Sequence, residues 1–138
     1  MARRDHYHDA VVRALEKGGW TITNDPLTVR YGDRRLFVDL GAENLIAAEK
    51  DQRQIAVEIK SFLGHSEVRD LEVALGQFVL YRSLLEEQEP GRTLYLAVPK
   101  FAHADVFSDS FGHFVIEKHQ LRLIVFNEEA EEIVQWLP

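Results

Sequence analysis

The spacing of hydrophobic and polar residues predicts helices and strands that alternate along the chain. Apolar residues recur at helical spacing over residues 7–17 and 67–87, which predicts two amphipathic helices. Clusters of β-branched and aromatic residues predict strands around these helices. The predicted strands cover residues 20–23, 28–31, 36–40, 45–49, 54–60, 94–98, 121–126 and 132–136. A further short helix is predicted at residues 103–108.

The order of these elements predicts an α/β fold with a central mixed β-sheet flanked by helices. A short polar connection joins the strands at 45–49 and 54–60, which is typical of an antiparallel hairpin. The run at 94–98 is apolar throughout, as expected of a strand covered on both faces. The chain has 138 residues, a common size for one domain, so residues 1–138 are predicted to form a single domain.

Composition excludes several classes of protein and site. The absence of cysteine excludes disulfides, thiolate zinc sites and cysteine nucleophiles. No apolar run approaches the ~20 residues of a membrane span, and the start lacks the apolar core of a signal peptide. We therefore predict a cytoplasmic protein without a membrane anchor. The net charge is −7, and all of the acidic excess falls in residues 61–138, which predicts two electrostatically different faces.

Residues that could carry chemistry lie in the strands at 36–40 and 54–60. Alternation along a strand puts Glu58 and Lys60 on one face, roughly 7 Å apart. Asp39 is the polar exception in an otherwise apolar strand, and such a residue needs a partner or a function. Two carboxylates and an amine suit metal-dependent phosphodiester hydrolysis, with Mg²⁺ or Mn²⁺ held by Asp39, Glu58 and the carbonyl of Ile59.

The pattern of Asp39 followed by Glu58-Ile59-Lys60 resembles the PD-(D/E)xK nuclease superfamily. The resemblance implies a restriction-endonuclease-like fold, metal ligation by both acids and water activation by Lys60. Gln77 and Tyr81 match a QxxxY element that some of these nucleases carry on the following helix. Less specific interpretations stay open: a solvated face for Glu58 and Lys60, a buried turn acid at Asp39, and a structural role for Gln77 and Tyr81.

Two positions depart from the superfamily pattern. Val38 stands where a proline often precedes the first acid. Many relatives carry a glutamate on the first helix that points into the site, and here the comparable residues are His8, Asp9 and Glu16. His8 follows the apolar stripe of its helix, so it is either a site residue in place of that glutamate or a structural histidine.

Longer segments are similar to the XisH family, the cyanobacterial fdxN element excision controlling factors. The matching segments are residues 19–28, 37–43, 45–50, 55–62, 74–78 and 133–136. The resemblance implies a role in programmed DNA excision, which a separate site-specific recombinase carries out, and an XisI-type protein as partner.

Three functions remain in competition at this point. The first is that of a Mg²⁺-dependent DNA endonuclease. The second is that of a catalytically inactive nuclease-fold protein, which regulates a recombinase through XisI. The third is DNA binding without cleavage, for which Arg30, Arg34, Arg35 and Lys60 form the candidate basic patch. A homodimer is expected because small members of the superfamily often pair.

Overall fold

A computed structural model describes residues 5–31, 34–35 and 44–138 of the chain. The helices of this part are α1 (His8–Lys17), α2 (Glu67–Gln88), α3 (Lys100–Ala104) and α4 (Ser110–His119). Its first strands are β1 (Thr21–Asn24), β2 (Arg30–Tyr31), β3 (Arg34–Arg35) and β4 (Leu45–Lys50). The later strands are β5 (Arg53–Ile59), β6 (Arg92–Pro99), β7 (Leu123–Asn127) and β8 (Glu132–Leu137).

Six of these strands form one sheet in the order β1-β4-β5-β6-β7-β8. The central pairs β5–β6 and β6–β7 are parallel, whereas β1–β4, β4–β5 and β7–β8 are antiparallel. The parallel pairs are connected through helices, as parallel strands require, and the antiparallel β4–β5 pair is the predicted hairpin. The predicted α/β class with a mixed sheet is therefore confirmed.

Helices cover both faces of the sheet and divide the core in two. On one face α2 packs with Phe78 and Tyr81 against alternate residues of β4 to β7. On the other face α1 packs with Val11 and Leu15 against the intervening residues of the same strands. Burial on both sides explains why β6 is apolar almost throughout.

The ends of α2 follow from local sequence. Ser66 adopts an extended conformation before the helix, and its hydroxyl accepts a hydrogen bond from Arg69 N at 3.2 Å, so it acts as the N-cap. Glu67 and Asp70 place negative charge in the first turn, where the helix dipole favours it. The helix stops at Glu89, just before Pro90, because a residue preceding proline is disfavoured in helical conformation.

The structure differs from the sequence predictions at two helices. The short helix predicted at 103–108 lies earlier, at Lys100–Ala104, and residues 105–108 form turns. The ten-residue helix α4 was not predicted at all. The strand predicted at 36–40 lies outside the described residues. Within the described part of the chain, no helix has the length and apolarity needed to cross a membrane.

Candidate functional site

One edge of the sheet gathers most of the predicted site residues. It contains the end of β5 and the start of β4. These two ends lie side by side because the hairpin is antiparallel, so that Leu45 pairs with Glu58. The segment after β1 reaches the same edge, where the Leu27 amide donates a hydrogen bond of 2.7 Å to the Leu45 carbonyl. We call this region the β5 edge.

Glu58 is buried at the β5 edge on the face that α2 covers. Only 2% of the residue is exposed, and neither carboxylate oxygen has a hydrogen-bond partner among the described residues. Burial raises its pKa well above the ordinary value; the nearby Lys60 ammonium acts in the opposite direction, and Asp5 raises the pKa further. The solvated-face interpretation of Glu58 is therefore wrong.

Lys60 is the first residue after β5 and is half-buried. Its backbone amide donates a 3.1 Å hydrogen bond to the Ala97 carbonyl of β6, which fixes the chain where it leaves the sheet. Its ammonium lies within electrostatic range of both Glu58 and Asp5. The predicted grouping of Glu58 with Lys60 is present.

Tyr81 is brought close to Glu58 by the buried face of α2. It is 1% exposed; burial raises the pKa of its phenol above the ordinary value, and the Glu58 carboxylate raises it further. Gln77 lies one turn earlier on the same helix and is half-buried. Tyr81 therefore lies within electrostatic range of Glu58, and the site role that the QxxxY resemblance implies for Gln77 and Tyr81 stays a prediction.

Asp5 is an acid at this edge that the sequence analysis did not identify. One carboxylate oxygen accepts a hydrogen bond from the Tyr7 amide at 3.1 Å, and the other accepts one from the Ser61 amide at 2.9 Å. The Ser61 hydroxyl also donates to this carboxylate, and Asn44 accepts a hydrogen bond from the Asp5 amide. Burial raises the pKa of Asp5, although the two backbone hydrogen bonds oppose that rise.

A local signal for Asp5 exists in the sequence. An aspartate just before a predicted helix often accepts hydrogen bonds from backbone amides of the first turn. Its contact with Ser61 could not be foreseen, because these residues are 56 positions apart.

His8 is buried and contacts an aspartate. Its Nε2 lies 2.8 Å from a carboxylate oxygen of Asp25, which joins α1 to the turn after β1. Its Nδ1 has no hydrogen-bond partner within the described part of the chain. Asp9 and Glu16, the other acids considered on this helix, are exposed. The role of His8 as a site residue stays a prediction.

The predicted metal ligands are described only in part. Asp39 lies outside the described residues, so its meeting with Glu58 stays a prediction. The Ile59 side chain is buried on the opposite face, with α1, and the contribution of its carbonyl also stays a prediction. Within residues 5–31, 34–35 and 44–138, no three His, Asp or Glu side chains are grouped to hold a metal ion.

The chemistry of Glu58 nevertheless fits a divalent cation. An ionised carboxylate without a hydrogen-bond donor is costly in a protein interior, and a hard cation is a partner that removes this cost. The Lys60 ammonium lowers the pKa of Glu58, but the pKa stays above its ordinary value. The described residues therefore do not fully compensate the negative charge of an ionised Glu58.

Comparisons with known proteins give consistent results. The model of the XisH protein family matches residues 1–134. A solved XisH family protein from Nostoc punctiforme PCC 73102 has a TM-score of 0.89 and 42% identity, covering 97% of this chain and 100% of that chain. A solved fdxN element excision controlling factor protein from Anabaena variabilis has a TM-score of 0.88 and 42% identity, with coverages of 96% and 98%. No curated protein is significantly similar in sequence.

Proposed function

The chain belongs to the XisH family, and from this membership we propose that it controls programmed excision of a DNA element through a nuclease-type metal site at the β5 edge. A solved relative is described as an fdxN element excision controlling factor, which supports the first half of the proposal. The second half rests on one observation: Glu58 is a buried carboxylate without a hydrogen-bond partner among the described residues, close to Lys60.

Glu58 and Asp39 are the residues that would hold Mg²⁺ or Mn²⁺, with the Ile59 carbonyl as a further oxygen ligand. A bound divalent cation lowers the pKa of a water molecule and screens the charge on a phosphate group. The proposed substrate is a DNA phosphodiester. In this structure only 2% of Glu58 is exposed, on the face of the sheet that α2 covers.

Lys60 is proposed to orient the attacking water and to stabilise negative charge on the phosphate. Its position immediately after β5 suits this role, since the strand end is fixed by its hydrogen bond to Ala97. Asp5 and Ser61 hold the segment before α1 against the same strand end. We assign them a positioning role, because Asp5 already accepts hydrogen bonds from Tyr7 and Ser61.

A second candidate is a control factor that has the fold but does not cleave DNA. The contact between His8 and Asp25 favours it, because it ties the first helix to the fold at the position where the resemblance to PD-(D/E)xK nucleases implies a glutamate. In this form the protein would act on the recombinase through an XisI-type partner or by binding DNA.

Calorimetric titration with Mn²⁺ tests the metal site directly. The wild type is compared with Glu58→Gln and Asp39→Asn, and with Glu86→Gln as a control that changes an exposed acid on α2. We expect the wild type and the control to bind equally, and each of the other two variants to bind at least about tenfold more weakly. Equal binding by Glu58→Gln and the wild type would exclude the proposed metal site.

An excision assay separates the two candidates. Lys60→Met keeps the length of the side chain but removes its charge, so it should abolish a cleavage step and leave partner binding intact. Excision is measured with the recombinase and an XisI-type protein supplied. Loss of excision with retained partner binding supports the nuclease-type role, whereas unchanged excision supports the control factor that does not cleave DNA.

A further inference from the structure

Helix α2 has a second face that the core does not use. Its buried residues follow one face, on which Phe78, Tyr81 and Leu85 pack against the sheet. On the opposite face six exposed residues recur at alternating spacings of four and three, the spacing of a coiled-coil seam. These six residues, which we call the α2 seam, are Arg69, Val73, Gly76, Leu80, Ser83 and Glu87.

The middle of the α2 seam is apolar. Val73 is 38% exposed and Leu80 is 39% exposed, and Gly76 lies between them. A Cβ added at Gly76 would meet no described atom within 4 Å, and its backbone is not in the left-handed region. Glycine inside a helix costs roughly 1 kcal/mol relative to alanine, and nothing in the described fold requires it here. Glycine at this position would be required if the backbone of another helix approached closely, because a larger side chain would keep the two backbones apart.

The charges of the α2 seam are complementary to those of an antiparallel copy. When two seams run in opposite directions with Gly76 facing Leu80, Val73 faces Ser83 and Arg69 faces Glu87. Opposite charges then meet at both ends of the seam, and each leucine lies over a glycine. In an antiparallel coiled coil an a position of one helix likewise faces a d position of the other.

We propose that the α2 seam is a homodimer interface in which two copies of this chain pair their α2 helices in antiparallel orientation. The seam spans 18 residue steps, or about 27 Å of helix. Glu72 and Glu86 flank it and are exposed. Across the pair these like charges approach each other, and their repulsion, which salt screens, weakens the dimer.

The two-fold arrangement leaves both β5 edges free. The N-terminus of α2 follows the β5 edge by seven residues, at Ser66, and antiparallel pairing puts the two N-termini at opposite ends of the seam. Because the seam lies on the face opposite the sheet, Glu58 is not covered by the second copy. The inference does not depend on the chemistry proposed for that residue.

Sedimentation velocity on the full chain, from about 5 to about 200 µM, tests the proposal. We expect the wild type to shift from monomer to dimer over this range. Leu80→Glu should raise the dissociation constant at least tenfold, as expected for a charge at the centre of an apolar contact. Val134→Glu is the matched control, since Val134 is 56% exposed on β8 and outside the seam. It should dimerise like the wild type.

Charge reversal gives the sharper test. Arg69→Glu and Glu87→Arg should each weaken the dimer severalfold, and the double variant should restore it, because the pairs at both ends are then opposite in sign again. Circular dichroism confirms that each variant is folded. A wild type that stays monomeric, or a dimer unaffected by Leu80→Glu, would overturn the proposal. Loss of DNA binding by Leu80→Glu in a monomeric protein would assign the seam to DNA instead.

Discussion

Glu58 is a carboxyl group that the fold has removed from water without a hydrogen-bond donor among the described residues. Because burial raises its pKa well above 4.5, the folded protein keeps a proton that the unfolded chain has already released. In the absence of divalent cations, the free energy of unfolding therefore falls as pH rises from about 4.5 toward the folded-state pKa. The loss is at most about 1.4 kcal/mol for each pH unit of that range.

Glu58→Gln should remove this loss. At pH 8, with a chelator present, the variant is expected to have a higher free energy of unfolding than the wild type, and near pH 4.5 the two should agree. Urea unfolding at pH 4.5, 6 and 8 measures the difference. Glu86→Gln, at an exposed position, controls for the change in net charge. Parallel curves for the wild type and Glu58→Gln would contradict the prediction.

Gly112 lies where α4 meets the backbone of the preceding turn. A Cβ at this position would lie 2.3 Å from the Val106 carbonyl oxygen and 2.6 Å from the Phe107 Cα. Gly112→Ala should therefore lower the free energy of unfolding by about 1–3 kcal/mol or more, because backbone must move. Gly76→Ala, measured at a protein concentration where the chain is monomeric, is the matched control and should raise it by up to about 1 kcal/mol. Equal effects of the two variants in urea unfolding would refute the packing argument.

The sequence identified the most local part of the candidate site. Alternation along β5 correctly put Glu58 and Lys60 together, and the four-residue spacing put Tyr81 on a defined face of α2. It could not give the burial of Glu58, which depends on which helix covers that face. It also missed Asp5, since the contact with Ser61 forms only after the whole sheet has assembled.

At the scale of elements, Arg82 links α2 to the C-terminal end of α4. Arg82 donates hydrogen bonds of 2.7 Å to the His119 carbonyl and 3.3 Å to the Gln120 carbonyl, at the C-terminal end of α4. Its guanidinium also lies 5.2 Å from the centre of the Phe78 ring. Carbonyls at a helix C-terminus lack partners within the helix, so this side chain satisfies groups that α4 itself cannot.

Arg82→Ala should lower the free energy of unfolding by about 1–3 kcal/mol, since hydrogen bonds from a charged donor are lost. Amide hydrogen exchange should increase most in the last turn of α4. Glu72→Ala, on the exposed side of α2, is the control and should change stability by at most about 0.5 kcal/mol. Unchanged exchange in α4 would show that Arg82 does not hold the helix end.

The helices differ in how strongly the sequence predicts them. The first helix has one apolar stripe, and its prediction at 7–17 agrees with His8–Lys17. The helix α4 buries only Gly112 and Val115, whereas Phe111 and Phe114 are exposed, so its apolar residues mark no single stripe. Its start is nevertheless encoded, because the Asp109 carboxylate accepts a hydrogen bond from the Gly112 amide at 2.8 Å.

At the scale of the whole molecule, strand order is the feature that local patterns do not determine. The hairpin β4–β5 was predicted because its strands are neighbours in sequence. The parallel pairing of β5 with β6 depends on the long crossover through α2, and β1 joins the far side of β4 across the segment that contains β2 and β3. These non-local pairings set the β5 edge, and no periodicity in one strand specifies them.

The distribution of charge also becomes interpretable only in the assembled molecule. Strands β5, β6 and β7 are parallel, so the loop after β7 lies at the same edge of the sheet as Lys60. Glu128 and Glu129 in that loop are close enough to raise the pKa of Tyr7, after the larger effect of burial. The Tyr7 amide in turn lies 3.2 Å from the Ser61 hydroxyl. Part of the acidic excess therefore borders the candidate site.

This arrangement predicts that the acidic loop limits DNA binding, if DNA approaches the β5 edge as proposed. Neutralising both residues, as Glu128→Gln with Glu129→Gln, should tighten binding of a short duplex by about threefold at low salt, because two repulsive charges near the phosphates are removed. The gain should disappear near 0.5 M salt, where screening acts over roughly 4 Å. Fluorescence anisotropy at several salt concentrations measures both effects.

The control for this experiment removes the same net charge from elsewhere. Asp51 lies in the hairpin turn between β4 and β5, and Glu86 lies near the end of α2, so both are at the opposite edge of the sheet. Asp51→Asn with Glu86→Gln should therefore change the affinity much less than the loop variant does. Equal tightening by the two pairs would mean that only the total charge matters, and DNA would then have no preference for the β5 edge.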